Sequence, residues 1–136
     1  PYQWPQGLAE AYRGVHFVWA QELSWSGHNS DWLLPNRIYE GSYFGALSLC
    51  VAGTETGKAV AERHLGHVLA DSQHQTLIHF VRNLDRKEVM EKQRVLLSRP
   101  ISDFVANADE ARNLVQRVLS VRKPDTESVE LQGTQK

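Results

Sequence analysis

The chain has 136 residues with 15 basic and 16 acidic side chains, and its formal net charge of −1 gives no bulk electrostatic attraction to nucleic acid or anionic lipid. Its apolar fraction of 41% and charged fraction of 23% exclude a chain that is disordered throughout. We therefore expect a single globular domain over residues 1–123, and a disordered tail over the polar residues 124–136.

The chain has one cysteine, Cys50, which excludes an intrachain disulfide framework and favours a cytoplasmic location. Cys50 lies in an apolar run over residues 44–53, and a buried, inert thiol is the usual state in such a run. That run is about half as long as a segment that spans a bilayer, so no membrane span is expected.

The first predicted element is a helix over residues 7–25, where apolar residues recur at the helical spacing until Gly27. Residues 36–53 are ambiguous, because their apolar residues fit one stripe of a helix or one face of a strand. Gly41 and Gly45 would cost a helix about 1 kcal/mol each. We favour the helix and keep the strand as the alternative.

Helices are predicted over residues 57–70 and 73–98, with a possible interruption at Asp71 and Ser72. A last helix is predicted from Asn107, where Asn107 and Glu110 form a capping pair, to a stop at Pro124. The predicted fold is therefore mainly α, a compact bundle of about five helices. The alternative is an α+β fold with residues 37–52 and 75–82 as strands.

Four side chains would form a stripe if residues 57–81 are helical. They are His64, His67, Asp71 and His74, which are spaced i, i+3, i+7 and i+10. Imidazole and carboxylate groups in such a row can bind a transition metal ion, or change charge near neutral pH at a partner surface. The interpretation that we favour involves no ligand, and these side chains then form a solvated or half-buried polar face.

The segment 52–59 reads Ala-Gly-Thr-Glu-Thr-Gly-Lys-Ala. It resembles the phosphate-binding loop of P-loop nucleotide enzymes in a relaxed form. The resemblance implies that backbone amides and the residues Gly53, Gly57 and Lys58 contact phosphate. Ala59 stands where the family has a hydroxyl residue that holds Mg²⁺, so that ligand is missing. A glycine-containing turn between two helices is the structural alternative, and we favour it.

Motifs of the types GxSxG, HExxH, CxxC and GxGxxG are absent, and no catalytic residue is assigned. Tryptophan and tyrosine cluster in the first 43 residues, and such amphipathic aromatics are enriched at protein interfaces. We predict a non-enzymatic assembly or regulatory subunit that binds another protein or a second copy of itself through Trp4, Trp25 and Trp32. The alternatives are a metal-dependent helical-bundle enzyme that uses the His/Asp cluster and a nucleotide-phosphate binder. No nucleic-acid partner is expected.

Overall fold

The computed structural model describes residues 6–22 and 32–120. The chain packs as two units, Pro1–Val105 and Ala106–Lys136. The described elements of the first unit are α1 (Gln6–Tyr12), β1 (Phe17–Trp19), α2 (Arg37–Tyr43), β2 (Leu47–Val51), α3 (Glu55–Glu62), β3 (Gly66–Leu69), α4 (His74–Arg82), α5 (Arg86–Leu97) and a 3₁₀ helix (Ile101–Asp103). Those of the second unit comprise one helix, α6 (Ala108–Ser120).

The three strands form one parallel sheet in the order β1-β2-β3. Phe17 pairs with Leu47, and Leu49 pairs with Trp19 on one side and His67 on the other. Both crossovers run in the same direction across the sheet, so right-handed connections place α2 and α3 on the same face. The central strand β2 is buried along four of its five residues.

The other face of the sheet is covered by α4 and α5. Phe80 of α4 makes edge contacts with the rings of Phe17 and His67, with ring centroids 5.7 and 5.0 Å apart. The Nζ atom of Lys92, in α5, lies 3.4 Å from the Nε2 atom of His67. The sheet therefore lies between two helical layers, which is why β2 is buried on both of its faces.

The hydrophobic core joins the sheet to both helical layers. Its buried members are Ala20, Ile38, Leu47, Cys50, Val60, Leu65, Val89 and Leu96. Apolar burial of this kind contributes roughly 25 cal/mol per Å² removed from water. The core thus connects α2, α3 and α5 through the sheet.

Two glycines allow close approaches that a side chain would block. A Cβ atom on Gly66 would overlap the backbone of Ser48, its partner in β2. A Cβ atom on Gly45 would lie 2.9 Å from Leu97 at the end of α5, and Gly45 also has a φ of +79°. Gly66 is therefore required for β3 to pair with β2.

The mainly helical content is confirmed, but the helices pack against a parallel sheet that the five-helix bundle lacks. The ambiguous segment 37–52 contains both structures, helix α2 followed by strand β2. The strand alternative is wrong for residues 75–82, which lie in α4. Helix α4 contacts the sheet through Phe80, whose ring lies against those of Phe17 and His67.

Three predicted helices are shorter than the sequence indicates. The helix predicted over 7–25 ends at Tyr12, and β1 follows Gly14, whose φ of +74° turns the chain. The helix predicted over 57–70 ends at Glu62, and β3 begins at Gly66. The helix predicted over 73–98 is broken near Asp85, whose carboxylate accepts a hydrogen bond from the Lys87 N–H at 2.8 Å and so starts α5.

The start of the last helix is confirmed. Asn107 Oδ1 accepts hydrogen bonds from the N–H groups of Asp109 and Glu110 at 3.0 and 2.8 Å, and Glu110 Oε2 accepts one from the Asn107 N–H. This helix belongs to the second compact unit, and one domain over residues 1–123 stays a prediction. The tail predicted over 124–136 lies outside the described residues.

Within residues 6–22 and 32–120, none of the helices has both the length and the apolarity that crossing a bilayer requires.

Replacement of Gly66 by alanine tests the close approach of β3 to β2. Because the new methyl group overlaps backbone atoms, we expect a loss of roughly 2–4 kcal/mol in the free energy of unfolding. The matched control is Gly14→Ala, where the new atom meets nothing within 4 Å and only the φ of +74° opposes it. That control should cost about 1 kcal/mol. Urea unfolding followed by circular dichroism measures both, and equal losses would contradict the packing argument.

Candidate functional site

The carboxyl ends of β1, β2 and β3 meet at one edge of the sheet, as they must in a parallel arrangement. In open parallel α/β sheets, ligands bind outside this edge at the point where the strand order reverses, and the three described strands contain no such reversal. What this edge does offer is the N-terminus of a helix, where amide groups can bind an anion. The chain continues there from β1 into Gln21, from β2 into Gly53 and Thr54, and from β3 into Asp71.

A buried glutamine links the first two strand ends. Gln21 is only 3% exposed, and its Oε1 accepts hydrogen bonds from Thr54 Oγ1 at 3.1 Å and from the Val51 N–H at 3.4 Å. Its Nε2 donates to the carbonyl oxygen of Glu22 at 3.2 Å. The amide side chain therefore fixes the end of β1 relative to the turn that follows β2.

Thr54 starts helix α3. Its Oγ1 accepts a hydrogen bond from the Gly57 N–H at 3.0 Å, and its carbonyl oxygen accepts one from the Lys58 N–H at 3.0 Å. The N–H groups of Glu55 and Thr56 precede these and belong to the first turn, where no intrahelical acceptor exists. The α3 N-terminus thus directs two amide donors and the positive end of its dipole toward the sheet edge.

The next hydroxyl of this turn holds a separate segment in place. Thr56 is 1% exposed, and its Oγ1 donates to the carbonyl oxygen of Leu33 at 2.7 Å. The segment that leads into α2 is therefore attached to the first turn of α3. The strand end, the helix N-terminus and this segment form one polar corner.

The predicted phosphate-contacting residues lie together in this corner. Gly53 has a φ of +77°, and a Cβ atom on Gly57 would overlap the Val51 carbonyl oxygen. Lys58 is exposed, one turn into α3. The order of strand, turn and helix is that of a phosphate-binding loop, but α3 already begins at Glu55, so Gly57 and Lys58 lie inside the helix. The Gly57 N–H is used by the Thr54 cap, which leaves the amides of Glu55 and Thr56. This order of elements differs from the favoured alternative, since the glycine turn joins a strand to a helix rather than two helices.

The four residues of the predicted metal stripe do not share a helix. His64 follows α3 with a φ of +53°, His67 lies in β3, Asp71 follows β3, and His74 begins α4. The single helix over 57–81 is wrong, so the geometric basis of the stripe is lost. In the part of the chain that the structure describes, no group of three or more His, Cys, Asp and Glu side chains is arranged to hold a metal ion.

Asp71 has a local structural role. Its carboxylate accepts hydrogen bonds from the Thr76 hydroxyl and from the Gln73 N–H, the latter at 3.0 Å, at the start of α4. The bond from Thr76 and then that from Gln73 lower the pKa of Asp71. This carboxylate therefore orders the turn between β3 and α4.

His67 lies in the half-buried contact between the sheet and α5. Burial lowers the pKa of His67, and the positive charge of Lys92 lowers it further, while Glu88 opposes this effect. Lys92 is itself held by Glu88 through an ion pair of 2.7 Å. A neutral imidazole can accept a hydrogen bond from Lys92, so the folded state favours the neutral form.

The predicted inert character of Cys50 agrees with its position, since the residue is fully buried in β2. Burial raises the pKa of the Cys50 thiol to about 11. Of the three predicted interface tryptophans, Trp32 is 76% exposed, and Trp4 and Trp25 lie outside the described residues.

Gln21 and the two threonines of the corner were not singled out from the sequence. Thr54 had a detectable signal, since a threonine just before a helix is a preferred cap. Gln21 had none, because its role depends on β1 and β2 being neighbours.

Comparison with known proteins gives one informative similarity. The chain is 43% identical over 76 residues to the succinoglycan biosynthesis protein ExoL of Rhizobium meliloti (strain 1021). The match covers 56% of this chain and 19% of that protein, so it spans about a fifth of the relative's length. No family model matches the chain, and no solved structure matches it.

Replacement of Lys92 by methionine should raise the pKa of His67, because it removes a nearby positive charge and leaves Glu88. In the wild-type protein the pKa of His67 is lower in the folded state than in the unfolded state. The stability that this difference contributes is fully present above the unfolded-state pKa, and it is lost as pH falls through the folded-state pKa. NMR titration of the imidazole measures the shift, and Lys87→Met is the control for a lysine without this contact. An unchanged His67 titration in Lys92→Met would show that Lys92 does not act on it.

Proposed function

We propose that this chain takes part in polysaccharide biosynthesis and that its polar corner binds the phosphate of an activated sugar. The similarity to a succinoglycan biosynthesis protein supports the process. Sugars are commonly joined after activation by a phosphate-containing leaving group, so a phosphate site is one kind of site that this process uses. The relative is far longer than the matched segment, so this chain would correspond to one part of such a biosynthetic protein.

The observation that carries the proposal is the order of strand, turn and helix at residues 47–62. The helix N-terminus presents the Glu55 and Thr56 amides, and aligned peptide dipoles favour an anion there. Gly53 carries no side chain that would keep a phosphate from the backbone. Gln21 fixes the turn from behind through Thr54, so the donors are held in place before a ligand arrives.

The charged side chains of the corner act in opposite directions. Lys58 is one turn into α3 and would reduce the negative charge of a bound phosphate. Glu55 lies at the first helical position, where its carboxylate would compete with an anion for the same amides. We therefore expect modest affinity for phosphate alone and a larger affinity for a complete activated sugar, which adds contacts.

Titration with inorganic pyrophosphate tests the site. We expect the amide resonances of Glu55 and Thr56 to shift most in NMR spectra of the ¹⁵N-labelled chain. Lys58→Gln should weaken binding about two- to five-fold, the effect of an exposed charge contact. UDP-glucose should bind more tightly than pyrophosphate at the same amides.

Lys87→Gln is the matched control, since Lys87 is an exposed lysine in the first turn of α5. It should leave pyrophosphate binding unchanged. The proposal fails if both variants weaken binding equally, or if the shifts spread over lysine side chains across the surface. It also fails if Glu55 and Thr56 do not respond at millimolar pyrophosphate.

A second function, association with another protein or a second copy of the chain, is favoured by an exposed apolar segment. Trp32, Leu33 and Leu34 are 76%, 43% and 44% exposed, although the Leu33 carbonyl is fixed by Thr56. A held apolar segment of this kind is typical of an interaction site, because it loses little conformational entropy on binding.

Sedimentation equilibrium tests the self-association form of this second function. Trp32→Ser should weaken dimerisation at least ten-fold, since large aromatic side chains dominate interface energetics. Met90→Ser, at an exposed apolar position on α5, should leave it unchanged. A wild-type chain that stays monomeric to millimolar concentration would exclude association between copies.

A further inference from the structure

A second concave site lies beside α2, distinct from the polar corner. Its volume is about 450 Å³, within the range of roughly 300–1,000 Å³ that is typical of small-molecule sites. Three aromatic side chains of the α2 segment line it, Tyr39, Tyr43 and Phe44, and Phe104 joins them from the residue after the 3₁₀ helix. The aliphatic side chains of Leu8, Ile101 and Val105 complete the apolar part of the lining.

The rings are held in position by contacts outside the cavity. The Arg63 guanidinium lies 5.7 Å from the ring centroid of Tyr39, and that of Arg99 lies 5.7 Å from the ring centroid of Phe104. Neither arginine lines this cavity. Phe44 stacks on Tyr12 of α1 with the ring centroids 5.3 Å apart. Cation–π and stacking contacts of these kinds fix the rings before a ligand binds.

Two polar side chains line the same cavity. Asn36 precedes α2 and Glu40 lies four residues later, so both are on one side of the helix. The Asn36 side chain makes no capping hydrogen bond to α2, although the Glu40 N–H donates to the Asn36 carbonyl oxygen at 2.9 Å. Among the described lining residues none is cationic.

This combination selects against several ligand classes. An anion would meet the Glu40 carboxylate without a compensating cation in the lining. An acyl chain or an apolar peptide helix would bury that carboxylate unpaired, which is costly. A saccharide fits, because its C–H faces pack on aromatic rings and its hydroxyl groups donate to Glu40 and exchange hydrogen bonds with the Asn36 amide.

We propose that this aromatic cavity is a binding site for a neutral saccharide, the growing glycan rather than its phosphate-activated precursor. The inference rests on the proposed function for the choice of a saccharide, and on the lining residues for the location. In this proposal the phosphate binds at the polar corner, and the uncharged sugar units bind in the cavity beside α2.

The test uses cellotetraose, a neutral tetrasaccharide of glucose. In NMR titrations of the full 136-residue chain, the amide resonances of Glu40 and Phe104 should shift. Glu40→Gln should weaken binding about five-fold, since a charge-assisted hydrogen bond is about twice as strong as a neutral one. Tyr43→Ala should weaken it about ten-fold, and Tyr43→Phe, which keeps the ring, should restore most of the affinity.

The matched control is Glu10→Gln, since Glu10 is an exposed carboxylate on α1 that pairs with Arg13 and does not line the cavity. It should leave saccharide binding unchanged. Circular dichroism confirms that each variant is folded, and Tyr43 is 38% exposed, so its loss should be tolerated. No response of Glu40 and Phe104 to millimolar tetrasaccharide would overturn the proposal.

Two further probes separate the alternatives. Tetramethylammonium binding at these residues without saccharide binding would identify a cation site, and binding of the uncharged 1-octanol alone would identify an acyl site; either result overturns the proposal. Pyrophosphate acts at Glu55 and Thr56, so its result is independent. Pyrophosphate binding without saccharide binding would contradict only the saccharide proposal. Saccharide binding without pyrophosphate binding would contradict only the phosphate proposal.

Discussion

The structure depends on a central strand that is enclosed on every side. β2 pairs with β1 and β3, and helices cover both of its faces. This enclosure requires Gly66, because any side chain there would displace β3 from Ser48. The turn after β2 then has a fixed direction, and it places the first turn of α3 at the sheet edge. The candidate site is thus a direct result of how closely the strands approach.

The sequence predicted helices well where their apolar spacing or caps are local properties. Asn107 and Glu110 defined a helix start by contacts within four residues, and the structure agrees. The short strands Phe17–Trp19 and Gly66–Leu69 were missed. Parallel strands this short, buried by helices, have no alternating polar pattern, and their stability comes from partners distant in the chain. Gly66 falls inside the helix predicted over residues 57–70, whereas in the structure its constraint is the Ser48 backbone.

The candidate site was accessible to the sequence only in part. A local sequence pattern was enough to select Gly53, Gly57 and Lys58, because the conformation of a turn depends on residues that are adjacent in the chain. Gln21 could not, because its hydrogen bond to Thr54 joins residues 33 positions apart. The histidine stripe failed for a related reason. Its spacing had meaning only on a continuous helix, and β3 places His67 against Phe80 and Lys92 instead.

Cys50 occupies the middle of β2 and is fully buried. Its side chain can meet a reagent only after the sheet separates, and the chain has no second thiol to compete with it. Modification of this sulfur would therefore count openings of the central strand, with each labelled molecule recording one event. The rate at which Cys50 is modified thus reports local unfolding of β2, the strand that positions the polar corner.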